Sequence, residues 1–313
     1  MRVSMQTMYN GLLKDLENLT DDIRTYQVQI ASGRRYERPS QSPVDLTYAL
    51  GYRKALEDIE RYKTSIREAQ AFLRTTEGAY QGLEDLVMRA KELALQGAND
   101  VQNFETRRAI AKEVDNLIKE ALALANTRHG DRYVFAGNRP TGYREGEKPF
   151  ELVREYAAGG EVLEKVIYKG GREDFYMSYA TDAKILVGRN GEEALMASEL
   201  FETLIGLKKT LLRDNRADTR LEVEDIQDHI ARLDRVLNHL VQERTDLGAR
   251  MDHLETKKNL YEDFKNTFRE NLAEVEDTDI LEAVTKLRAR QTAYEAALRA
   301  AAKTMQLSLV NFL

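Results

Sequence analysis

IERYKTSIREAQAFLRTTEGAYQGLEDLVMRAKELA, residues 59–94, places Ile59, Tyr62, Ile66, Ala69, Leu73, Thr76, Tyr80, Leu83, Val87, Ala90 and Ala94 in strictly alternating steps of three and four. A repeat of 3.5 residues is the seam along which helices pack side by side, and no β-strand carries it. A helix starting near Val44 therefore needs a partner of similar length. A second seam, Ile226, Ile230, Leu233, Leu237, Leu240, Leu247, Met251, Leu254, Tyr261, Phe268, Leu272 and Val275, lies within a helix over about Thr219 to Glu276. Three slots of that seam are basic, Arg244, Lys258 and Lys265. Their stems can lie on apolar surface while the charge reaches water, and Phe264 is placed to cover the last. Gln96-Gly97-Ala98-Asn99-Asp100 breaks the first helix. A third then runs to about Arg128 and buries Ile110, Val114, Leu117, Ala121 and Leu124.

Outside this pair, each end of the chain repeats the pattern. Met5, Tyr9, Leu12, Leu16, Leu19, Ile23, Tyr26 and Ile30 form a heptad seam that stops at Ser32-Gly33, where glycine suits a helix C-cap. Arg38-Pro39-Ser40-Gln41-Ser42-Pro43 then imposes an extended connector. At the other end the frame slips across Glu276-Asp277-Thr278-Asp279. It resumes at Ile280, Val284, Leu287, Tyr294, Leu298, Ala301, Met305 and Phe312, with polar Gln291 and Ser308 in the remaining slots. The two arms are of similar length and set off by breakers, so they can pair antiparallel if the rod between them folds as a hairpin. Val3 to Leu13 and Thr304 to Leu313 hold no charged side chain. Two helices sharing one seam leave tip residues such as Met8, Leu13, Leu307, Leu309, Val310 and Leu313 uncovered, which implies further subunits or lipid. Met5, Tyr9, Leu12, Leu16, Leu19 and Ile23, with Ile280, Val284, Leu287, Tyr294, Leu298, Met305, Leu309 and Phe312, are the candidate assembly interface.

Between Gly130 and Gly191 the texture changes: ten of the 18 glycines, two of the four prolines and six of the 15 tyrosines fall there. Helix cannot dominate such a stretch. The runs 132–135, 150–153, 165–168, 175–179 and 184–187 read as short strands, and helix returns over Glu193 to Leu212. The expected fold is mainly α, an elongated antiparallel helical rod with paired terminal arms and a small antiparallel β insert. Its expected divisions are 1–44 (arm and connector), 45–138 (first half of the rod), 139–191 (insert), 192–277 (second half) and 278–313 (arm).

Composition narrows the function. The chain has no cysteine, which removes disulfides, zinc-thiolate and iron-sulfur sites and a thiol nucleophile. A net charge of −6 argues against general nucleic-acid binding, so no nucleic acid is expected as a partner. No apolar run approaches a membrane span, and the start lacks the charged and apolar pattern of a cleavable signal peptide. The motifs G-x-S-x-G, S-x-x-K, H-E-x-x-H, Walker A and G-x-G-x-x-G are absent. His129, His229, His239 and His253 include no pair at helical spacing that could share a metal. Glu274, Glu276, Asp277 and Asp279 lack the glycine and terminal glutamate of a calcium loop and read as a solvated hinge. Arg34, Arg35 and Arg38, beside the first connector, suit a solvated or inter-subunit role. No catalytic, cofactor or metal site is expected, and the chain reads as a non-enzyme.

Met1-Arg2-Val3-Ser4-Met5-Gln6-Thr7-Met8-Tyr9, Ile30-Ala31-Ser32-Gly33-Arg34 followed by Pro39-Ser40 and Pro43-Val44, and Leu93-Ala94-Leu95-Gln96-Gly97-Ala98-Asn99 resemble the flagellin superfamily. Asn126-Thr127 with Asp131-Arg132-Tyr133-Val134-Phe135-Ala136-Gly137, Asp246-Leu247-Gly248-Ala249-Arg250, and Leu307-Ser308-Leu309-Val310-Asn311-Phe312-Leu313 are similar to its hook-associated protein 3 family. The resemblance spans the chain except most of the insert, Pro140 to Gly191, which matches only loosely at Ile167-Tyr168-Lys169-Gly170. It implies a secreted structural ring at the hook-filament junction of the bacterial flagellum. The implied neighbours are copies of itself, hook-associated protein 1 on the hook side and flagellin on the filament side. It also implies type III export with a chaperone on the C-terminal arm. A filament flagellin, or a secreted membrane-active helical protein, stands as the alternative; liposome binding against binding to the hook tip separates the last from the junction.

Overall fold

The computed structural model describes residues 2–36, 42–98, 104–144, 146–156, 162–213 and 219–310, and side chains for all of these except 2–6, 8, 156, 162, 219–223 and 304–310. Among the described residues there are six α-helices: α1 Arg2–Ser32, α2 Pro43–Gly97, α3 Phe104–Ala125, α4 Leu200–Leu212, α5 Thr219–Glu276 and α6 Ile280–Val310. Three antiparallel strand pairs lie between α3 and α4. They are β1 Arg128–His129 with β2 Arg132–Tyr133, β3 Phe150–Tyr156 with β4 Val162–Tyr168, and β5 Phe175–Ala180 with β6 Ala183–Gly188. The chain is thus mainly α with small antiparallel strand pairs, and it divides into two compact units, Met1–Glu60 with Glu262–Leu313 and Arg61–Tyr261.

The second unit holds most of the core. Ten of the eleven seam positions of α2 are buried and Tyr62 is half-buried. On α5, Ile226, Leu233, Leu240, Leu247 and Leu254 are buried. Each basic seam slot meets an acid, on the facing helix or on its own. Arg244 meets the buried Glu84 of α2 at 3.0 Å, while Lys258 bonds Glu255 on its own helix and Glu255 accepts from Gln70 of α2. With Lys91 on Asp234, these pairs fix an antiparallel register between α2 and α5. Of these charges Glu84 alone is buried, so removing Arg244 would leave it uncompensated, whereas the half-exposed pairs at Lys91 and Lys258 mark the register and add little stability.

Asn126 ends α3 and anchors the insert. Its amide donates to the Leu122 and Phe150 carbonyls, and its carbonyl accepts from the Phe150 N–H. Helix α3 therefore stops at Ala125, three residues before the boundary expected from the sequence, and Ile118 and Ala125 are buried where Leu117 and Leu124 are only half-buried. The run expected as strand 132–135 pairs over two residues only. Val134, Phe135 and Ala136 instead enter the core, where Phe135 packs edge-on against Tyr80 at 5.1 Å. Ala136 bridges Asn190, whose side chain and backbone N–H both bond Asp174. Arg189 reaches the buried Glu243 of α5 at 2.6 Å. The helix expected over 193–212 is split into a π-helical turn, Glu192–Met196, and α4, which lies against α3. Lys208 of α4 bonds Asp115 of α3 at 3.0 Å and also pairs with Glu164 of β4.

Candidate assembly surface

In the first unit α1 packs along α6, as the matched seams predict. The direction is fixed at the junction beyond Ser32. Gly33 adopts φ +70°, which glycine reaches without a Cβ penalty, and its N–H bonds the Gln29 carbonyl. The chain then runs beside Glu276–Thr278: the Arg35 N–H donates to the Glu276 carbonyl at 2.7 Å, and the Thr278 N–H to that of Gly33 at 2.9 Å. Arg34 and Asp277 are thereby bridged, so the end of α1 meets the start of α6 and the helices run antiparallel. Further along, Asp22 pairs with Arg290 at 3.2 Å. The distance from Arg34 back to Asp22 is 12 residues and from Asp277 on to Arg290 is 13, so both contacts obey one register.

Each piece of this junction has a local cause. Ser42 precedes Pro43 at the start of α2, and its hydroxyl bonds Asp45 at 2.7 Å while Tyr36 donates to the same carboxylate. These two bonds, the Tyr36 one first, hold the Asp45 carboxyl below its ordinary pKa. Asp279 caps α6 through a bond from the Glu282 N–H at 3.0 Å. Arg53 of α2 pairs with Glu276 at 2.6 Å, and Lys265 of α5 pairs with Glu60 of α2. Phe264, placed by the sequence over Lys265, is 45% exposed instead.

The candidate interface residues divide into three sets. Leu12, Leu16, Leu19, Ile23, Val284, Leu287 and Tyr294 are half-buried on the two arms. Tyr9, Leu298 and Ile280 are 44%, 44% and 53% exposed. The side chains of Met5, Met305 and Leu309 and the whole of Phe312 lie outside the described residues. Two positions escaped the sequence reading. Ala283 is buried, and Leu281 is 82% exposed one turn before Thr285. A frame restarted at Asp279, the capping residue, would have marked Ala283.

Elsewhere the titratable residues singled out in the sequence make structural contacts. His129 bonds Thr75 at 2.8 Å, His229 bonds Thr210, His239 bonds the Glu193 and Ala194 carbonyls, and His253 bonds Tyr179. Among the described residues no group of His, Asp or Glu is placed to hold a metal ion, and no helix is long and apolar enough to cross a membrane.

Residues 3–139 match the N-terminal helical region of bacterial flagellin, and residues 230–313 match its C-terminal helical region. The flagellar hook-associated protein 3 of Escherichia coli is 23% identical across 99% of this chain and 98% of its own length. This chain belongs to the flagellin superfamily, in its hook-associated protein 3 family. Within that family, the Salmonella typhimurium hook-associated protein 3 is 22% identical over 95% of this chain and 94% of its own length. Among solved flagellin-superfamily structures, the flagellar junction protein FlgL of Legionella pneumophila gives a TM-score of 0.59 at 16% identity, covering 74% of this chain and 100% of its own. Bacillus cereus FlgL gives 0.56 at 22% identity, with 71% and 99% covered. At these identities the structural likeness establishes the fold.

Proposed function

We propose that this chain is a structural subunit of the bacterial flagellum, forming the ring that joins hook to filament through its terminal helical arms. The observation that carries this reading is an incomplete pairing. Arms α1 and α6 are held in one antiparallel register, yet Tyr9, Leu13, Ile280, Leu281 and Leu298 remain exposed on them. Apolar side chains that a protomer cannot cover for itself are supplied with cover by assembly. The near full-length match to hook-associated protein 3 supports the junction over the filament.

In this reading residues 1–44 and 278–313 are the assembly arms, 45–138 and 192–277 form the helical body, and 139–191 is a β-rich insert. The ring rests on hook-associated protein 1 and receives flagellin above it, and an export chaperone shields the C-terminal arm before assembly. The chain is secreted and resides at the hook-filament junction. Its role in this reading is structural and not enzymatic.

Deletion of the chain tests this directly. Cells lacking it are expected to keep their hooks, carry no attached filaments and release flagellin into the medium. Immunogold labelling of complemented cells is expected as one band at the hook tip. Filaments retained in the deletion strain, or label along the whole filament, would refute the junction role.

A further inference from the structure

Two cavities open on either side of the β1–β2 hairpin and share Asp131 at its tip. The antiparallel register sets their walls. Arg128 pairs with Tyr133 and His129 with Arg132, and successive strand residues point to opposite faces, so the first pair lines one cavity and the second pair the other. The Arg128–Tyr133 cavity, about 400 Å³, is completed by Thr141, Tyr143, Arg144 and Lys148 from the loop that follows. The His129–Arg132 cavity, about 510 Å³, is walled by Arg67 and Phe72 of α2 and Met177 of β5. The cations of both are held without being neutralised. The Arg128 guanidinium lies 4.8 Å from the centre of the Tyr133 ring and donates to the Asp131 carbonyl at 3.1 Å. Arg67 donates to the Thr64 hydroxyl at 3.0 Å, and Arg132 lies 5.9 Å from the Phe175 ring and 4.0 Å from the Asp131 carboxylate. Arg67, Arg128, Arg144 and Lys148 make no ion pair among the described residues. A guanidinium stacked on an aromatic ring and pinned by one carbonyl keeps most of its planar donor fork unspent, and that fork matches a carboxylate.

The remaining groups narrow the ligand. Asp131 and Glu147 stand in the first cavity and Glu68 and Asp131 in the second, so a phosphate-rich chain would meet like charge in both. Carboxylates accept bonds from hydroxyl groups instead. His129 offers a further acceptor: its Nδ1–H donates to the Thr75 hydroxyl at 2.8 Å, because that hydroxyl gives its own proton to the Ala71 carbonyl, and Nε2 of the neutral ring is left to accept. The half-buried Tyr143 and Met177 supply apolar surface for the C–H face of a sugar ring. A unit with one carboxylate, several hydroxyls and an apolar ring face satisfies all of these groups together. We infer that this chain binds an acidic polysaccharide of the uronic-acid type, laid across the tip of the β1–β2 hairpin with carboxylates on Arg128 and Arg132 in the two cavities. The inference goes beyond the junction role and does not rest on it.

Calorimetric titration of the purified full-length chain tests this with four probes: a galacturonate hexamer, the galacturonate monomer, a neutral galactose hexamer and linear polyphosphate. The acidic hexamer is expected to bind at least about tenfold more tightly than its monomer, because a unit in one cavity holds the next beside the other. Its affinity is expected to fall as salt is added, and the neutral hexamer is expected not to bind. Arg128→Gln with Arg144→Gln, and separately Arg67→Gln with Arg132→Gln, are each expected to weaken the acidic hexamer at least about tenfold at an unchanged melting temperature. Lys54→Gln with Arg235→Gln removes the same charge from exposed positions elsewhere and is expected to leave binding unchanged. No binding of the acidic hexamer, equal binding of the neutral hexamer or of polyphosphate, a monomer as tight as the hexamer, or equal weakening in the control pair would overturn the inference. Should a variant fail to fold, the wild-type titrations decide alone. Failure of the junction role reads out separately, as filaments that stay attached without the chain.

Discussion

Gly137 has φ +56°, and a Cβ built on it would lie 2.6 Å from the Gly171 carbonyl oxygen and closer still to that of Glu173. Neither oxygen can retreat, because the Gly171 N–H bonds the Ala136 carbonyl and the Asn138 N–H bonds Glu173. Gly137→Ala is therefore expected to cost about 2–3 kcal/mol, combining backbone strain with a clash against main chain, measurable as a lowered urea midpoint at unchanged slope. The glycine was legible in the sequence only as the end of a run resembling a family; the physical need for it appears once residues 171–173 are seen to pass beneath. His229 is a second case. Its ring lies over Gly206, where an added Cβ would come within 2.6 Å of the imidazole, and its pKa is held below the ordinary 6.5 first by burial and then by Arg232. Asp228 and Asp225 on α5 oppose that shift, and Arg213 beyond α4 reinforces it. The unfolded chain takes up the proton near 6.5, so the stability due to the neutral ring is full above that pH. It is lost as the pH falls below 6.5 toward the folded pKa. The melting temperature of His229→Gln is expected to fall less than that of the wild type between about pH 7 and pH 5.5, checked by calorimetry at both.

Leu240 and Leu298 occupy equivalent slots on seams of different helices, but Leu240 of α5 is fully buried and Leu298 of α6 is 44% exposed. An aspartate at position 240 puts an unpaired carboxylate into the core beside α2 and is expected to cost about 3–5 kcal/mol. Leu298→Asp is expected to change monomer stability by less than about 1 kcal/mol and to act only on incorporation, as a loss of attached filaments from exported, folded protein. Equal losses in thermal melts of the two variants would show that the arm is ordinary core. At this scale the sequence was informative wherever one period ran unbroken. The α2 seam, the long α5 helix, the stop at Gly33 and the restart at Ile280 all stand in the structure. Phase within a seam was less legible, since Leu237 is half-buried while its neighbour Val236 takes the buried place. The apolar spacing over 193–212 also hid a break. Leu195 and Leu200 are both fully buried, five residues apart, which a straight helix would turn about 140° from each other. The chain meets both demands by a π-helical turn, the Ser198 hydroxyl bonding the Leu195 carbonyl, and Glu199 at φ 59°. The candidate interface was legible as a period and not as an exposure pattern, because which side of an arm faces water depends on the bridge at Arg34 and Asp277, and strand-like pairing of that sort leaves no mark in a helical repeat.

The two compact units bury apolar residues very unequally. In Met1–Glu60 with Glu262–Leu313 the buried apolar side chains among the described residues are Ala49, Ile59 and Ala283, whereas Arg61–Tyr261 holds all the others, including Phe135, Phe150, Phe201 and fourteen fully buried leucines and isoleucines. Hydrophobic burial scales with apolar area removed from water, so the first unit has little to set against the entropy of ordering its helices. Its helices are joined by hydrogen bonds and ion pairs at the junction, and exposed ion pairs contribute about 0–1 kcal/mol each. The arms of the free monomer are therefore expected to open locally far more often than the second unit does. Assembly changes the balance, because every exposed residue of α1 and α6 that a neighbour covers adds burial without further backbone ordering once the helix is formed. Hydrogen exchange on the full-length chain measures both states. In the monomer, amides of α1 and α6 are expected to exchange at least about a hundredfold faster than those of α2 between Ile66 and Ala94, and in isolated flagella that gap is expected to close. In the proposed ring the same coupling would give directionality to growth, since a subunit that ordered its arms only against an existing tier would not seed a ring in solution. Arms as protected in the monomer as the second unit would show that they are a finished coiled coil, and assembly would then have to be driven from other surfaces.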